Sequence, residues 1–158
     1  TQEYLDALRC AEARTPGVEI EFLEDPGSVP GIYQRAALTL SLSQRPEGFG
    51  MVPLESLACG CPVVSVPTGG MQEWIAGMPG CALPRGTGEA EVASAILHVM
   101  ENRPGYRAGA LAAREILQAQ FGAGRVLRIH RELYSQVLRA DCGTRDLPPC
   151  TGGSETDG

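Results

Sequence analysis

Two glutamates flank a glycine-containing loop, with Glu47 before it and Glu55 after it. Seven residues separate them, so they are too far apart in sequence to share one proton, and we expect them to contact opposite ends of a long ligand. Gly48 and Gly50 carry no side chain, which lets the backbone N–H groups of residues 48–52 approach a ligand closely. Carboxylates suit sugar hydroxyls and backbone amides suit phosphate, so the spacing matches the outline of a sugar nucleotide. On spacing alone, two solvated surface glutamates fit equally well.

A predicted strand and a predicted helix position this loop. Residues 37–42 (ALTLSL) read as a mostly buried strand, and a helix is expected over 51–60. Pro53 suits the first turn of that helix, and Gly60 suits its end. Open α/β sheets bind ligands at the carboxyl ends of their strands, and a helix N-terminus attracts anions. The loop therefore lies where a phosphate-containing ligand is expected.

The rest of the chain alternates between strand and helix patterns. This alternation predicts an α/β fold with a Rossmann-like open parallel sheet, flanking helices and right-handed crossovers. One domain is expected over 1–140, and the Gly-, Pro- and Thr-rich residues 141–158 are expected to be a disordered tail. Further strands are predicted at 18–23 (VEIEFL), 62–66 and 81–83, and further helices at 1–14, 30–37, 71–76, 89–101, 104–120 and 124–140.

Composition excludes several classes of protein. The chain has 158 residues, 43% of them hydrophobic and 20% charged, which is ordinary for a globular domain. Its formal net charge of −6 argues against nucleic acid as a partner, since binding phosphates needs a basic surface. No apolar run is long enough to span a membrane and no signal peptide is recognised, so a cytoplasmic location is expected. With two histidines and no CxxC spacing among six cysteines, we expect no metal site and reduced thiols.

The stretch SQRPEGFGMVPLESLACGCPVVSVPTGGMQEWI resembles the signature of the family 4 glycosyltransferases of GT-B fold. That pattern has a glutamate, GFG, a second glutamate after seven residues, Gly-x-Pro-Val-Val and a Gly-Gly loop. The resemblance covers about residues 18–140. It implies the C-terminal, donor-binding half of an enzyme that transfers a sugar from a nucleotide diphosphate sugar to an acceptor hydroxyl with retention.

The resemblance also implies roles for individual residues. Glu47 would bind hydroxyls of the donor sugar and is the expected catalytic residue, while Glu55 would bind the ribose. Leu23 and Glu24 would lie near the base. No metal or cofactor is expected besides the donor itself, because the family is usually metal-free. The remaining expected donor-binding residues are Gly48, Phe49, Gly50, Met51, Val52, Gly69 and Gly70.

The chain departs from the family pattern in its basic residues. All 13 are arginines, whereas the family uses an arginine and a lysine from an earlier loop to contact the diphosphate. We therefore expect a chain truncated at its N-terminus, inactive alone, whose acceptor glycan or lipid-linked sugar binds a missing domain. Arg45 is a weaker candidate for the phosphate contact. The expected helix over 124–140 carries four arginines that form a solvated face or contact an anionic membrane or the absent domain, namely Arg125, Arg128, Arg131 and Arg139.

Two other functions remain open. One is a non-catalytic or truncated module that binds a nucleotide sugar without turnover, and the other is a sugar-nucleotide epimerase or phosphorylase-like enzyme of the same fold. A hydrolase is not supported, because His98 and His130 have no matched nucleophile motif. Trp74 is expected to pack in the core. Small buried thiols are expected at Cys59 and Cys61.

Overall fold

A parallel sheet lies at the centre of the fold, in a computed structural model that describes residues 2–23 and 27–141. Its strands in the described residues are β1 (Thr39–Ser41), β2 (Val63–Ser65) and β3 (Cys81–Ala82). A 3-10 helix spans Gly69–Met71. The α-helices are α1 (Gln2–Arg14), α2 (Val29–Arg35), α3 (Met51–Ala58), α4 (Gln72–Ile75), α5 (Glu89–Glu101), α6 (Arg103–Phe121) and α7 (Ala123–Asp141).

The strand order is β1-β2-β3, and both neighbouring pairs are parallel. Val63 in the central strand pairs with Thr39 on one side and with Cys81 on the other. All three residues of β2 are buried, as expected for a parallel strand covered on both faces. The sheet confirms the predicted α/β class, with α3 connecting β1 to β2 and α4 connecting β2 to β3.

The hydrophobic core lies between the sheet and the helices α3, α4 and α6. Leu57 of α3 and Ile75 of α4 are fully buried, and Ala113 and Leu117 of α6 pack in the same cluster. Small residues let α6 pack closely against the core cluster, because the short alanine side chain keeps neighbouring backbones near one another. This core supports the strand ends from which the loops of the candidate site emerge.

The helix predictions are confirmed to within two residues at most boundaries, with one difference in form. The helix expected over 71–76 is a 3-10 turn followed by the short helix α4. The helix expected from residue 124 begins at Ala123 and reaches Asp141. Residues 142–158 of the expected tail lie outside the described residues, so the domain boundary stays a prediction.

The strand predicted at 18–23 is wrong. These residues form neither a helix nor a strand ladder in the described part of the chain. Alternating side chains make a strand only where a neighbouring strand supplies hydrogen bonds. Here the N–H of Ile20 instead donates to the carboxylate of Glu12 on α1.

Helices α1 and α7 lie at the two ends of the described chain and differ from the central helices. Neither contributes a buried side chain among those described. In α7 even the large apolar residues are exposed, Leu127 by 62% and Leu138 by 67%. Over the described ranges, no helix is long and apolar enough to cross a membrane.

Candidate functional site

The loop between β1 and α3 turns sharply just before the helix begins. Gly50 has φ 82° and ψ 66°, the left-handed conformation that only glycine adopts without strain. It is the N-cap of α3, and no side chain caps the helix there. The N–H groups of Gly48 and Gly50 have no hydrogen-bond partner among the described residues. Unpaired donors at a helix N-terminus are suited to an anionic or hydroxylated ligand.

A buried hydroxyl network holds α3 against the sheet. The Ser56 hydroxyl donates to the side-chain oxygen of Thr39 on β1 at 2.8 Å, and it also lies 3.2 Å from the carbonyl of Cys61. Ser56 is fully buried, and these two neighbours are the acceptors that satisfy its hydroxyl. This network holds the second turn of α3 against the sheet, at the residue next to Glu55.

The carboxylate of Glu55 lies beside a tyrosine from α2. The Tyr33 hydroxyl donates to Oε2 of Glu55 at 3.4 Å, a long hydrogen bond. Burial and the nearby Glu55 carboxylate both raise the pKa of Tyr33, so its phenol stays protonated and remains a donor. Sequence reasoning missed Tyr33, because no local pattern pairs residues 22 positions apart.

The side chain of Glu47 makes no hydrogen bond or ion pair with any residue in the described ranges. It is partly buried, four residues before α3 begins. Its backbone is firmly held, since the Glu47 carbonyl accepts the N–H of Gly70 at 3.0 Å. Both predicted glutamates thus belong to one loop-helix unit, and the carboxylate of Glu47 is unpaired among the described residues.

The Gly-Gly loop packs directly on the loop that carries Glu47. A Cβ added to Gly69 would collide with the backbone of Glu47, and one added to Gly70 would collide with the carbonyl of Gly48. The hydroxyl of Thr68 also donates to the carbonyl of Arg45 at 3.0 Å. The two glycines are therefore needed to seat one loop against the other, whereas their expected contact with a donor stays a prediction.

A cluster of three aromatic side chains packs against the same loop. The Trp74 indole N–H donates to the carbonyl of Phe49 at 2.8 Å, and the two rings stack with centroids 5.7 Å apart. Phe121 of α6 meets both rings edge-on, at 5.1 and 6.0 Å. Trp74 is only 8% exposed, in keeping with the core position expected for it.

Two open clefts of about 600 Å³ are present in the described part of the molecule. The first lies beside β3 and is lined by residues of β3, α5 and α6 that include His98 and Tyr106. The second borders the loop itself, where Gly48 and Phe49 face Glu73 and Arg125. We place the candidate site at the loop, because the unpaired N–H groups and the carboxylate of Glu47 are there.

The other expected site residues are mostly exposed. Met51 and Val52, in the first turn of α3, are exposed by 53% and 44%. Leu23 is exposed, while Glu24 lies outside the described residues. Arg45 is exposed at the start of the loop and only its carbonyl is bonded.

Histidines, cysteines and acidic residues are the other candidates for a second site in the described part of the chain. Within residues 2–23 and 27–141, no three His, Cys, Asp or Glu side chains are grouped to hold a metal ion. His98 and His130 are exposed on helices, apart from any nucleophile motif. The described cysteines are free thiols, with Cys61 buried and Cys59 partly buried.

Comparison with known proteins identifies the family. A family model described as "Glycosyl transferases group 1" matches residues 2–102. The chain belongs to this family. Among curated relatives, N-acetyl-alpha-D-glucosaminyl L-malate synthase of Bacillus anthracis is 32% identical over 123 residues, which are 76% of this chain and 31% of the relative. D-inositol 3-phosphate glycosyltransferase of Nocardiopsis dassonvillei is 34% identical over 116 residues, 73% of this chain and 26% of the relative.

Solved structures of glycosyltransferases share the fold. The crystal structure of Anabaena HepE in complex with UDP aligns with a TM-score of 0.76 and 26% identity, over 85% of this chain and 37% of HepE. Sucrose-phosphate synthase from Thermosynechococcus elongatus aligns with a TM-score of 0.74 and 24% identity, over 87% of this chain and 34% of the synthase, and shows the fold alone. The chain thus has the GT-B type of Rossmann-like fold and spans about a third of the length of these glycosyltransferases.

Proposed function

We propose that this glycosyltransferase chain binds the donor, a nucleotide diphosphate sugar, in an enzyme that transfers the sugar to an acceptor hydroxyl with retention. The observation that carries the proposal is the loop before α3, where unpaired N–H groups at a helix N-terminus lie between two glutamates. The fold relative HepE, 26% identical, is described in complex with UDP, which supports a nucleoside diphosphate as the ligand here.

The chemistry requires two kinds of charge stabilisation. Negative charge grows on the departing diphosphate, and the fixed N–H groups of Gly48 and Gly50 suit that charge. The N-terminus of α3 adds its positive dipole end to the same region. Losing one such fixed donor costs roughly 3–4 kcal/mol of transition-state stabilisation in other enzymes. Positive charge grows on the anomeric carbon, where the carboxylate of Glu47 or the donor phosphate itself offsets it.

The two glutamates divide the remaining recognition between the ends of the donor. Glu47 binds hydroxyls of the transferred sugar, since its carboxylate is unpaired in the described structure. Glu55 binds the ribose hydroxyls with the carboxylate oxygen that Tyr33 leaves free. Phe49, Met51 and Val52 contribute backbone around the diphosphate. No metal ion has a role in this proposal.

The acceptor is proposed only as a hydroxyl compound. The names of the two relatives contain L-malate in one case and D-inositol 3-phosphate in the other, so they do not agree on one acceptor. A glycan, a lipid-linked sugar or a small hydroxylated anion fits the proposed reaction equally well. The donor site is therefore the part of the proposal that mutagenesis of this chain tests directly.

Binding and turnover by variants of the full-length protein test the donor site. Isothermal titration with UDP, GDP and ADP first finds the diphosphate bound most tightly. Glu55→Gln is expected to weaken its binding by roughly tenfold or more, because a hydrogen bond to a charged group is lost. Glu47→Gln is expected mainly to lower kcat for the nucleotide sugar. Glu3→Gln changes an exposed carboxylate on α1 and is the matched control.

Three results contradict parts of the proposal. If no nucleoside diphosphate binds, the donor assignment is wrong. If both Glu47→Gln and Glu55→Gln behave like Glu3→Gln, the site lies elsewhere. Tight binding without turnover by the full-length protein would instead support the non-catalytic module, a candidate favoured by the absence of lysine from this chain.

A further inference from the structure

Three alternate carbonyl groups of the candidate loop are held by one segment, residues 68–74. The Thr68 hydroxyl donates to the carbonyl of residue 45 at 3.0 Å, and the Gly70 N–H donates to that of residue 47 at 3.0 Å. The Trp74 indole N–H donates to that of residue 49 at 2.8 Å. We call residues 68–74 the clamp. The clamp thus donates a hydrogen bond to every second carbonyl of the loop between residues 45 and 49.

The carbonyls of Glu47 and Phe49 determine where two of the loop's N–H groups point. The third bonded carbonyl, that of residue 45, precedes a proline, which has no N–H. No peptide bond in the described residues is cis, and in a trans peptide the N–H points opposite to the preceding carbonyl. The N–H of Gly48 therefore points away from the clamp, because the carbonyl of Glu47 points toward it. The same reasoning applies to the N–H of Gly50, which follows the captured carbonyl of Phe49. Neither N–H has a partner among the described residues.

Close packing between the clamp and the loop requires glycine at two clamp positions and a flexible side chain at a third. Gly69 and Gly70 touch the backbone of residues 47 and 48 so closely that neither tolerates a Cβ. Met71 packs against Gly50, where an added Cβ would lie 2.8 Å from the methionine Cγ. The clamp and the loop thus fit in one arrangement, which is a condition for aiming fixed donors.

We propose that Thr68 and Trp74 are positioning residues for the diphosphate of the donor. Trp74 aims the N–H of Gly50 through the carbonyl of Phe49. Thr68 anchors the loop as a whole through the carbonyl of Arg45. They touch no substrate themselves and act through the carbonyls of residues 45 and 49. This inference rests on the proposed function, since it concerns the same donor site. It adds two side chains whose hydrogen-bonding groups, rather than their bulk, determine the affinity for diphosphate.

Matched substitutions separate aiming from packing. Thr68→Val removes the hydroxyl at nearly constant shape, and Thr68→Ser keeps it. Trp74→Phe removes the indole N–H and keeps an aromatic ring against Phe49 and Phe121. Phe121→Leu disturbs the same aromatic cluster without touching a hydrogen bond of the loop. The full-length protein is used throughout, and thermal melting confirms that each variant is folded.

The readout is the ratio of two dissociation constants, for the nucleoside and for its diphosphate. The pair is uridine and UDP when UDP is the diphosphate bound most tightly by the unmodified protein, and otherwise the corresponding pair for GDP or ADP. The ratio isolates the contribution of the diphosphate. We expect it to fall about fivefold in Trp74→Phe, the effect of a misdirected hydrogen bond. The fall should be smaller in Thr68→Val, because the Ser43 hydroxyl also donates to the carbonyl of Arg45. The ratio should recover in Thr68→Ser and stay unchanged in Phe121→Leu.

The possible failures are distinguishable. If the unmodified protein binds a diphosphate but Thr68→Val and Trp74→Phe leave the ratio unchanged, the positioning role is wrong and the proposed function stands. An equal fall in Phe121→Leu would show that the segment acts by packing alone, which also overturns the inference. If no diphosphate binds to the unmodified protein, the proposed function fails first.

Discussion

Two regions of this chain are stabilised in different ways: the central layer, which we define as residues 39–121, and the end helices α1 and α7. From Thr39 to Phe121 the helices pack on the sheet, and every buried apolar side chain in the described residues falls in this part. Helices α1 and α7 are regular, but none of their described side chains is buried. The candidate loop belongs wholly to the central layer, where the clamp holds it.

The residues that hold the candidate loop in place lie in the central layer and not in the end helices. The geometry of the loop depends on Ser56, Trp74 and the Gly-Gly loop, all in the central layer. In the described structure α7 enters the neighbourhood of the loop only at its first turn, where Arg125 borders the cleft. Substitutions in the central layer should therefore change stability and ligand binding together, whereas those along α7 after Arg125 should change neither in this chain.

The largest effect is expected from truncating a buried leucine of α3. Leu57 is fully buried in the core cluster, so Leu57→Ala should lower the free energy of unfolding by about 2–5 kcal/mol. Leu127→Ala on α7 removes the same atoms from a side chain that is 62% exposed and should change it by about 0.5 kcal/mol or less. Urea denaturation followed by circular dichroism measures both.

Equal losses in these two variants would contradict the proposed contrast. A large loss in Leu127→Ala would show that α7 is packed in solution in a way that its exposure does not indicate. Because both substitutions delete the same side-chain atoms, differences in intrinsic helix propensity between the variants are removed from the comparison.

A smaller but more local effect is expected from Gly70→Ala. The new Cβ would meet the carbonyl of Gly48, so one loop must move, at a cost of about 1–3 kcal/mol. The displaced loop should bind nucleoside diphosphate at least tenfold more weakly, since a shift of a few tenths of an ångström misdirects its donors. Differential scanning fluorimetry and calorimetric titration measure the two effects.

Gly105→Ala is the matched control for Gly70→Ala. Gly105 lies in α6 with nothing within 4 Å of an added Cβ, and alanine favours a helix by up to about 1 kcal/mol over glycine. The control should raise the melting temperature slightly and leave binding unchanged. Normal binding by Gly70→Ala would show that the contact between the two loops is not needed for the site.

The sequence predicted the elements well where the pattern is local. Helix periodicity and the Pro53 and Gly60 signals placed α3 within two residues, and the β-branched run placed β2. The strand predicted at 18–23 was wrong, because alternation reports which face of a segment is apolar and not whether a partner strand is present. Local patterns thus predict what a segment is suited to form, whereas pairing is decided by the rest of the molecule.

The candidate site was predictable in composition but not in its supporting contacts. The Glu47-to-Glu55 spacing and the glycines between them gave the loop and the helix N-terminus. The bond from Tyr33 to Glu55 and that from Trp74 to the Phe49 carbonyl join residues 22 and 25 positions apart. Such pairs have no periodicity in one sequence. Gly69 and Gly70 were assigned to the ligand, although their immediate contact is another loop.

The smallest and most selective test compares two cysteines, one from each region. Cys10 on α1 is exposed, whereas burial raises the pKa of Cys81 in β3 to about 12. Since the thiolate is the reactive form, iodoacetamide at pH 8 should modify Cys10 quickly and Cys81, which lines the cleft beside β3 but stays protonated, much more slowly. Peptide mass spectrometry after short labelling pulses measures each site, and labelling in guanidinium chloride is the control for intrinsic reactivity.

The same pKa shift has a consequence for stability at high pH. The folded protein keeps the proton on Cys81 at pH values where the unfolded chain has released it. Because the unfolded state then binds fewer protons than the folded state, the free energy of unfolding falls as pH rises from about 9 towards 12. Cys81→Ala should remove this part of the alkaline loss. Fast labelling of Cys81 in the native protein at pH 8 would mean that burial does not keep its thiol protonated, which would contradict this contrast between the two cysteines.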